Sequence, residues 1–234
     1  MECALPDHVF PPAPPVTVPT DDGRLFPVRR IFCVGRNYAA HALEMGGAPD
    51  REPPFFFAKP ADAVVTGGAD VPYPSATADL HHEMELVVAI GQGGSDIAVS
   101  DALAHVFGYA AGIDLTRRDL QDEAKKARRP WDMSKGFDHS APIGAIAPAS
   151  RIGHPSLGAI ALTVDGAPRQ SSDMSLMIWS VPEIVAYLYR LVHLEAGDLI
   201  FTGTPEGVGA VKAGETMEGR IEGVGTVKAK VVGR

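Results

Sequence analysis

The chain has 234 residues, 45% hydrophobic and 21% charged, enough length and apolar content to bury a substantial core. Its Gly 25 and Pro 20 together fill roughly a fifth of the positions against an average near 12%, which favours turns and short strands and excludes a coiled coil. A formal charge of −8 argues against a nucleic-acid partner, which normally meets a basic domain or stripe.

No apolar run approaches the roughly 18 residues of a membrane span, and no basic region precedes an apolar one at the N-terminus. The expectation is a cytoplasmic protein without a membrane partner. Cys3 sits in a Pro-rich terminus and Cys33 in an apolar segment, so both read as free thiols rather than a disulfide framework or zinc site.

Residues 1–15 hold Pro11, Pro12, Pro14 and Pro15 and form an extended arm, because proline lacks a donor and fixes φ. Residues 16–234 then read as one catalytic domain. Val16 to Val18 and Leu25 to Val28 flank Asp21, Asp22 and Gly23, a hairpin signal leading into a strand from Ile31 to Gly35. Asn37 is expected to cap a short helix over Tyr38 to Met45, stopped by Gly46 and Gly47. A Pro-interrupted stretch with Phe55, Phe56 and Phe57 precedes a strand from His82 to Ile90. Ser100 is expected to cap a helix through Phe107. GYAAGID at 108–114 reads as a buried strand ending on an acid. Thr116 opens a polar helix to about Arg129, closed by Pro130. Ser180 and Glu183 form a capping pair for a helix with Ile184, Leu188, Leu191 and Val192 at helical spacing. Strands follow at Asp198 to Thr202, Thr216 to Ile221 and Thr226 to Val232. Without a regular βαβ rhythm, the fold class is α+β.

The string HHEMELVVAIG at 81–91 carries most of the chemistry. Strand alternation places Glu83, Glu85 and Val87 on one face and Met84, Leu86, Val88 and Ile90 on the other. Two carboxylates on a partly buried face repel, and a hard divalent cation such as Mg²⁺, Mn²⁺ or Ca²⁺ would relieve them. The alternative is a solvated strand face. His81 and His82 read as polar strand-entry residues. Asp114 ends a nearly uncharged stretch, either as a third ligand or as a helix cap. His41 and Glu44, three apart, form either an acid/base dyad or a surface pair. Arg118 and Gln121 share a helical face and Lys135 follows in MSKGF, so these could hold oxyanions. A solvated face also explains much of segment 117–130, where six basic residues meet three acidic ones. GTPEGVG at 203–209 lacks the Lys-Ser/Thr ending of a phosphate loop, and no G-x-S-x-G elbow occurs.

IFCVGRNYAAHALEMG, PPFFFAKP, HHEMELVVAIG, GYAAGIDLTRRDLQ, SKGF, IWSVPEI and GDLIFTGTPEGVG, in this order, resemble the fumarylacetoacetate hydrolase family over about residues 30–232. REPPFFFAKPADAVV and LFPVRRIFCVGRNYAAHA look most like its bacterial branch that acts on fumarylpyruvate in gentisate degradation. The resemblance implies a mixed β-roll or barrel with short peripheral helices and a homodimer. It also implies a Mg²⁺ or Mn²⁺ site at Glu83, Glu85 and Asp114. His41 and Glu44 match a water-activating dyad on a lid-like segment, and Lys135 matches an active-site lysine. With less detail it places Arg36, Tyr38, Lys59, Arg118, Gln121 and Thr204 against substrate. The implied reaction is C–C hydrolysis of a small anionic 2,4-dioxo acid, giving pyruvate and, from fumarylpyruvate, fumarate. In it Lys135 and Gln121 would stabilise the oxyanion, and Arg36 or Arg118 would meet the second carboxylate. Acylpyruvate hydrolysis, oxaloacetate decarboxylation, oxo-acid isomerisation and a non-catalytic ligand-binding dimer are the alternatives.

Overall fold

Leu86, Val88 and Ile90 face one apolar core while Val87 and Ala89 face a second, as the alternation of strand side chains requires. The strand Met84–Ile90 is buried along its whole length. In the computed structural model, which describes residues 8–46 and 51–234, it lies inside a six-stranded sheet. The order is Ala147–Pro148, Val106–Ile113, Met84–Ile90, Asp198–Phe201, Arg30–Gly35, Phe55–Lys59. Asp198–Phe201 runs parallel to Arg30–Gly35 and antiparallel to Met84–Ile90, so the sheet is mixed.

A second sheet of five strands runs Ala167–Asp173, Ala159–Val164, Thr216–Ile221, Gly225–Val232, Val71–Pro72. Its inner residues, among them Ile160, Leu162, Met217, Val227 and Val231, join the first core. The helix Val181–Leu191 adds Ile184, Val185 and Leu188 to the same core. Each such side chain contributes about 1.5–3 kcal/mol on full burial. Glu183 accepts hydrogen bonds from the Ser180 N–H (3.0 Å) and hydroxyl (2.7 Å), the contact expected of a helix-start pair. The architecture is α+β, mixed sheets with short helices around them.

Several elements differ from the sequence reading, each because a distant strand outweighs local preference. Ser100 does not start a helix to Phe107: Ala102–His105 makes one 3₁₀ turn, and Val106 already pairs with Ile90. The polar helix begins at Arg118 and runs to Ala127, because Thr116 and Arg117 pair with His81 and Leu80. Asn37 is not a cap. Its amide donates to the carbonyls of Trp179 (2.9 Å) and Thr202 (2.8 Å), and its oxygen accepts from Trp179 N–H (2.7 Å), joining three segments. The strands Phe55–Lys59, Ala159–Val164 and Ala167–Asp173 have no counterpart in the reading. Phe55–Lys59 is an edge strand, so its aromatics are only partly covered and show no clean alternation. Of the Pro-rich arm, residues 8–15 are exposed and irregular. Cys33 is buried and free; Cys3 and the helix stop Gly47 lie outside the described residues.

Candidate active site

Three acids meet because of strand register. Met84 pairs with Ile113, so one step further Glu83 lies across from Asp114, and the Asp114 N–H donates to the Glu83 carbonyl at 2.8 Å. Glu85 shares the Glu83 face two residues on, opposite Gly112. Carboxylate oxygens of Glu83, Glu85 and Asp114 all lie within 4.8 Å of one another. All three residues are buried, Asp114 completely, so the solvated-face alternative does not describe them.

Cations hold two of these acids. Lys135 Nζ donates to Glu83 Oε2 (2.8 Å), Asp114 Oδ2 (2.7 Å) and Thr116 Oγ1 (2.7 Å). Arg118 donates to Glu83 Oε1 at 2.5 Å. Burial alone would raise Glu83, but Lys135 and Arg118 outweigh it and hold the carboxyl well below the usual range. The same acids, Asp114 and Glu83, keep the Lys135 ammonium above its ordinary value despite burial. Among the described residues Glu85 has no such cation. Its Oε2 accepts from the Gly203 N–H at 2.7 Å. Burial, then the charges of Asp114 and Glu83, push it well above the carboxylate range. Asp114 Oδ1 forms an ion pair with Lys59 Nζ at 2.8 Å but accepts no well-directed hydrogen bond among the described residues. A buried carboxyl without its own cationic partner among the described residues, close to two further carboxylates and with oxygen donors only, fits a hard divalent cation.

The dyad lies beside the acids. His41 Nδ1 is 3.3 Å from Glu44 Oε2 on the helix Ala39–Glu44. Its proton therefore points to Glu44, and Nε2 is left as the basic nitrogen. Burial lowers the imidazole pKa, against the pull of Glu83 and Glu44. Glu44 also accepts from the Gly207 N–H at 3.2 Å. The glycine-rich loop thus braces Glu85 with Gly203 and Glu44 with Gly207. Gly203 has φ +94° and an added Cβ would come within 2.7 Å of Asn37 Cβ; at Gly207, φ +88°, it would come within 2.3 Å of the Arg169 carbonyl. Only glycine fits either place without movement.

One cleft is lined by Arg36, His41, Glu83, Glu85, Arg118, Gln121, Lys135 and Thr204 together with Lys125, Trp131 and Phe57. Arg36 adopts a left-handed backbone, φ 58°, a conformation that non-glycine residues keep mainly where surrounding structure enforces it. Gln121 Oε1 accepts from Arg118 at 2.5 Å, which leaves its amide N–H groups for the cleft. Two residues expected against substrate are not among the side chains lining this cleft. Lys59 is buried, donating to the carbonyls of Leu115 (3.1 Å) and Lys135, so it anchors backbone and flanks Asp114. Tyr38 is buried, and its hydroxyl lacks a partner among the described residues. Lys135 is in the cleft, but its three donors are already engaged with Glu83, Asp114 and Thr116.

Other contributors escaped the sequence reading. Lys125 lies seven residues after Arg118 and four after Gln121, a helical spacing that could have exposed it. Burial, then Arg118, and more weakly Arg36, pull its pKa down. His81 is not a simple strand-entry residue: Nδ1 accepts from Arg118 Nε (3.4 Å) and Nε2 meets Asp79 Oδ1 (2.9 Å). His82 is fully buried against Gln170. No local pattern announces either contact.

Residues 30–232 match the family model described as fumarylacetoacetate (FAA) hydrolase C-terminal. A fumarylpyruvate hydrolase from Ralstonia sp is 45% identical over 189 residues, covering 80% of this chain and 98% of that protein. The mitochondrial oxaloacetate tautomerase FAHD1 of Rattus norvegicus is 43% identical over 203 residues, 87% of this chain and 91% of its own. The crystal structure of fumarylpyruvate hydrolase from Pseudomonas aeruginosa, in complex with Mn²⁺ and pyruvate, superposes with TM-score 0.95 at 55% identity. That match covers 97% of this chain and 100% of the other.

Proposed function

From the membership of this chain in the fumarylacetoacetate hydrolase family, we propose that it hydrolyses the C–C bond of a 2,4-dioxo acid, with fumarylpyruvate giving fumarate and pyruvate. The carrying observation is the buried trio Glu83, Glu85 and Asp114, two of whose acids line one cleft with His41, the partner of Glu44. The reading treats residues 16–234 as one catalytic domain. It also includes the homodimer and gentisate degradation that the family resemblance implies, and the cytoplasmic location expected from the sequence.

Glu83, Glu85 and Asp114 would hold Mg²⁺ or Mn²⁺, whose chemistry is Lewis-acid polarisation of the substrate's carboxylate and 2-oxo oxygens. The Mn²⁺ and pyruvate in the Pseudomonas relative support both the ion and the product. His41 Nε2 takes a proton from the water that attacks the 4-oxo carbon, and Glu44 fixes the ring by accepting the Nδ1 proton. General-base help of this kind is typically worth about 10²- to 10⁴-fold. The free amide of Gln121 donates to the oxyanion at the attacked carbon, a preorganised contact. Lys135, its donors occupied, holds the Glu83 carboxyl well below the usual range and stays bonded to Asp114. As the bond between C3 and C4 breaks, its electrons pass to the pyruvate half, which takes up the proton at C3. Arg118 is committed to Glu83 and Gln121, so the second carboxylate of fumarylpyruvate falls to Arg36, with Lys125 nearby on the cleft wall.

Pyruvate release from fumarylpyruvate, acetylpyruvate and oxaloacetate, each with Mg²⁺, Mn²⁺ or chelator, tests the reading. Metal-dependent release fastest with fumarylpyruvate is expected; full activity in chelator, or turnover of none of the three, refutes it. Oxaloacetate tautomerisation is the second reading, favoured by the rat relative. Enol–keto exchange without net pyruvate release would establish it.

A further inference from the structure

On the edge strand Ala167–Asp173 a single residue is buried, and it is polar: Gln170, 1% exposed. It lies on the second sheet, outside the cleft, and every hydrogen-bonding position of its amide is used. Oε1 accepts from the Met84 N–H (3.0 Å) and from His82 Nδ1 (3.1 Å). Nε2 donates to Thr204 Oγ1 (2.8 Å) and to the Pro205 carbonyl (3.0 Å). The direction of this amide is fixed by chemistry. A backbone N–H can only donate and a carbonyl can only accept, so the oxygen must face Met84 and the nitrogen must face Pro205.

That direction has a consequence for Thr204. Its oxygen already accepts one hydrogen bond from Gln170, which limits the directions its own O–H can take, and that O–H has no acceptor among the described residues. Thr204 lines the cleft. We propose that Gln170 is a positioning residue that orients the Thr204 hydroxyl, presenting its O–H as a donor to the anionic 2-oxo-acid end of the substrate. The same amide ties the glycine-rich loop to Met84, which follows Glu83 and precedes Glu85, so donor and acids hold one spacing. The inference rests on the 2-oxo-acid hydrolysis proposed above.

Gln170→Glu separates this role from scaffolding. A carboxylate keeps the bonds from Met84 and His82 but can no longer donate to Thr204, whose hydroxyl then turns to it and is lost to the ligand. The experiment measures pyruvate binding by calorimetry in saturating Mn²⁺, with KM and kcat for the substrate that turns over, at about pH 8. It uses wild type, Gln170→Glu, Thr204→Val and the double variant. Gln170→Glu should weaken pyruvate binding and raise KM at least about tenfold, matching the roughly 1.5–3 kcal/mol of a hydrogen bond to a charged group. Its kcat should change less, and in the Thr204→Val background it should have no further effect. Unchanged pyruvate affinity in folded Gln170→Glu, or an equal loss with and without Thr204, overturns the assignment. If Gln170→Glu does not fold, Gln170→Met removes the same donor and goes through the same cycle with the same criteria. Wild-type protein that neither binds nor releases pyruvate overturns the hydrolysis reading, and this assignment with it, so the two failures are told apart by which protein shows them.

Discussion

Replacing Lys135 by methionine would remove an ammonium that is 2% exposed and donates to Glu83, Asp114 and Thr116 at 2.7–2.8 Å. Methionine refills most of the volume, so the loss is mainly electrostatic. Glu83 would retain Arg118, and Asp114 would retain only the misaligned Lys59. Removing one partner of a buried ion pair costs about 3–5 kcal/mol, since the other charge stays buried without compensation. For a chain of this size each kcal/mol moves Tm by about 2–4 °C. A fall of about 6–20 °C in chelator is therefore expected. Mn²⁺ at about a thousand times its Kd stabilises the folded state by about 4 kcal/mol and restores positive charge among the same oxygens. The variant should then gain more than wild type does, and the two melting curves should approach each other. Thermal melts of both proteins in EDTA and in Mn²⁺ make the comparison. Equal Tm values in EDTA, or a deficit that Mn²⁺ leaves unchanged, would refute the view that lysine and cation serve one set of acids.

Glu83→Ala should abolish both metal-dependent pyruvate release and the Mn²⁺ thermal shift; a full shift in this variant would move the ion elsewhere. His41→Ala should keep that shift while turnover falls at least about a hundredfold, and unchanged turnover would assign the base to another group. Because burial lowers His41 from its ordinary 6.5, the neutral base persists below that pH. The acid limb of kcat/KM should lie below about 6.5 and not above it. His82, also lowered by burial, takes up its proton more readily unfolded than folded. Its contribution to stability is complete above about pH 6.5 and declines as pH falls through the depressed folded value; denaturant melts from pH 7.5 to 5 would show the sign. Arg36→Met and Lys125→Met should reduce kcat/KM for fumarylpyruvate more than for acetylpyruvate, which has no second carboxylate, and equal losses for both would remove these cations from substrate discrimination.

The sequence by itself determined the parts of this protein that depend on near neighbours in the chain. Alternation along 83–90 put Glu83 and Glu85 on one face, and helical spacing joined His41 to Glu44 and Arg118 to Gln121. The Ser180–Glu183 pair marked the start of the helix that covers the core. The whole ordered set of segments pointed to the family, which the match over residues 30–232 establishes. Tertiary structure alone decided which polar groups meet. Register across two strands, not spacing within one, set Asp114 opposite Glu83. Lys59 and Lys135 look alike in sequence, yet one anchors carbonyls behind the acids while the other reaches between them. Gln170 is the clearest case: 86 residues separate it from Met84 and 34 from Thr204, and it sits in a strand that local pattern did not reveal. A buried amide is recognised by what surrounds it, and those surroundings exist only after the two sheets have packed.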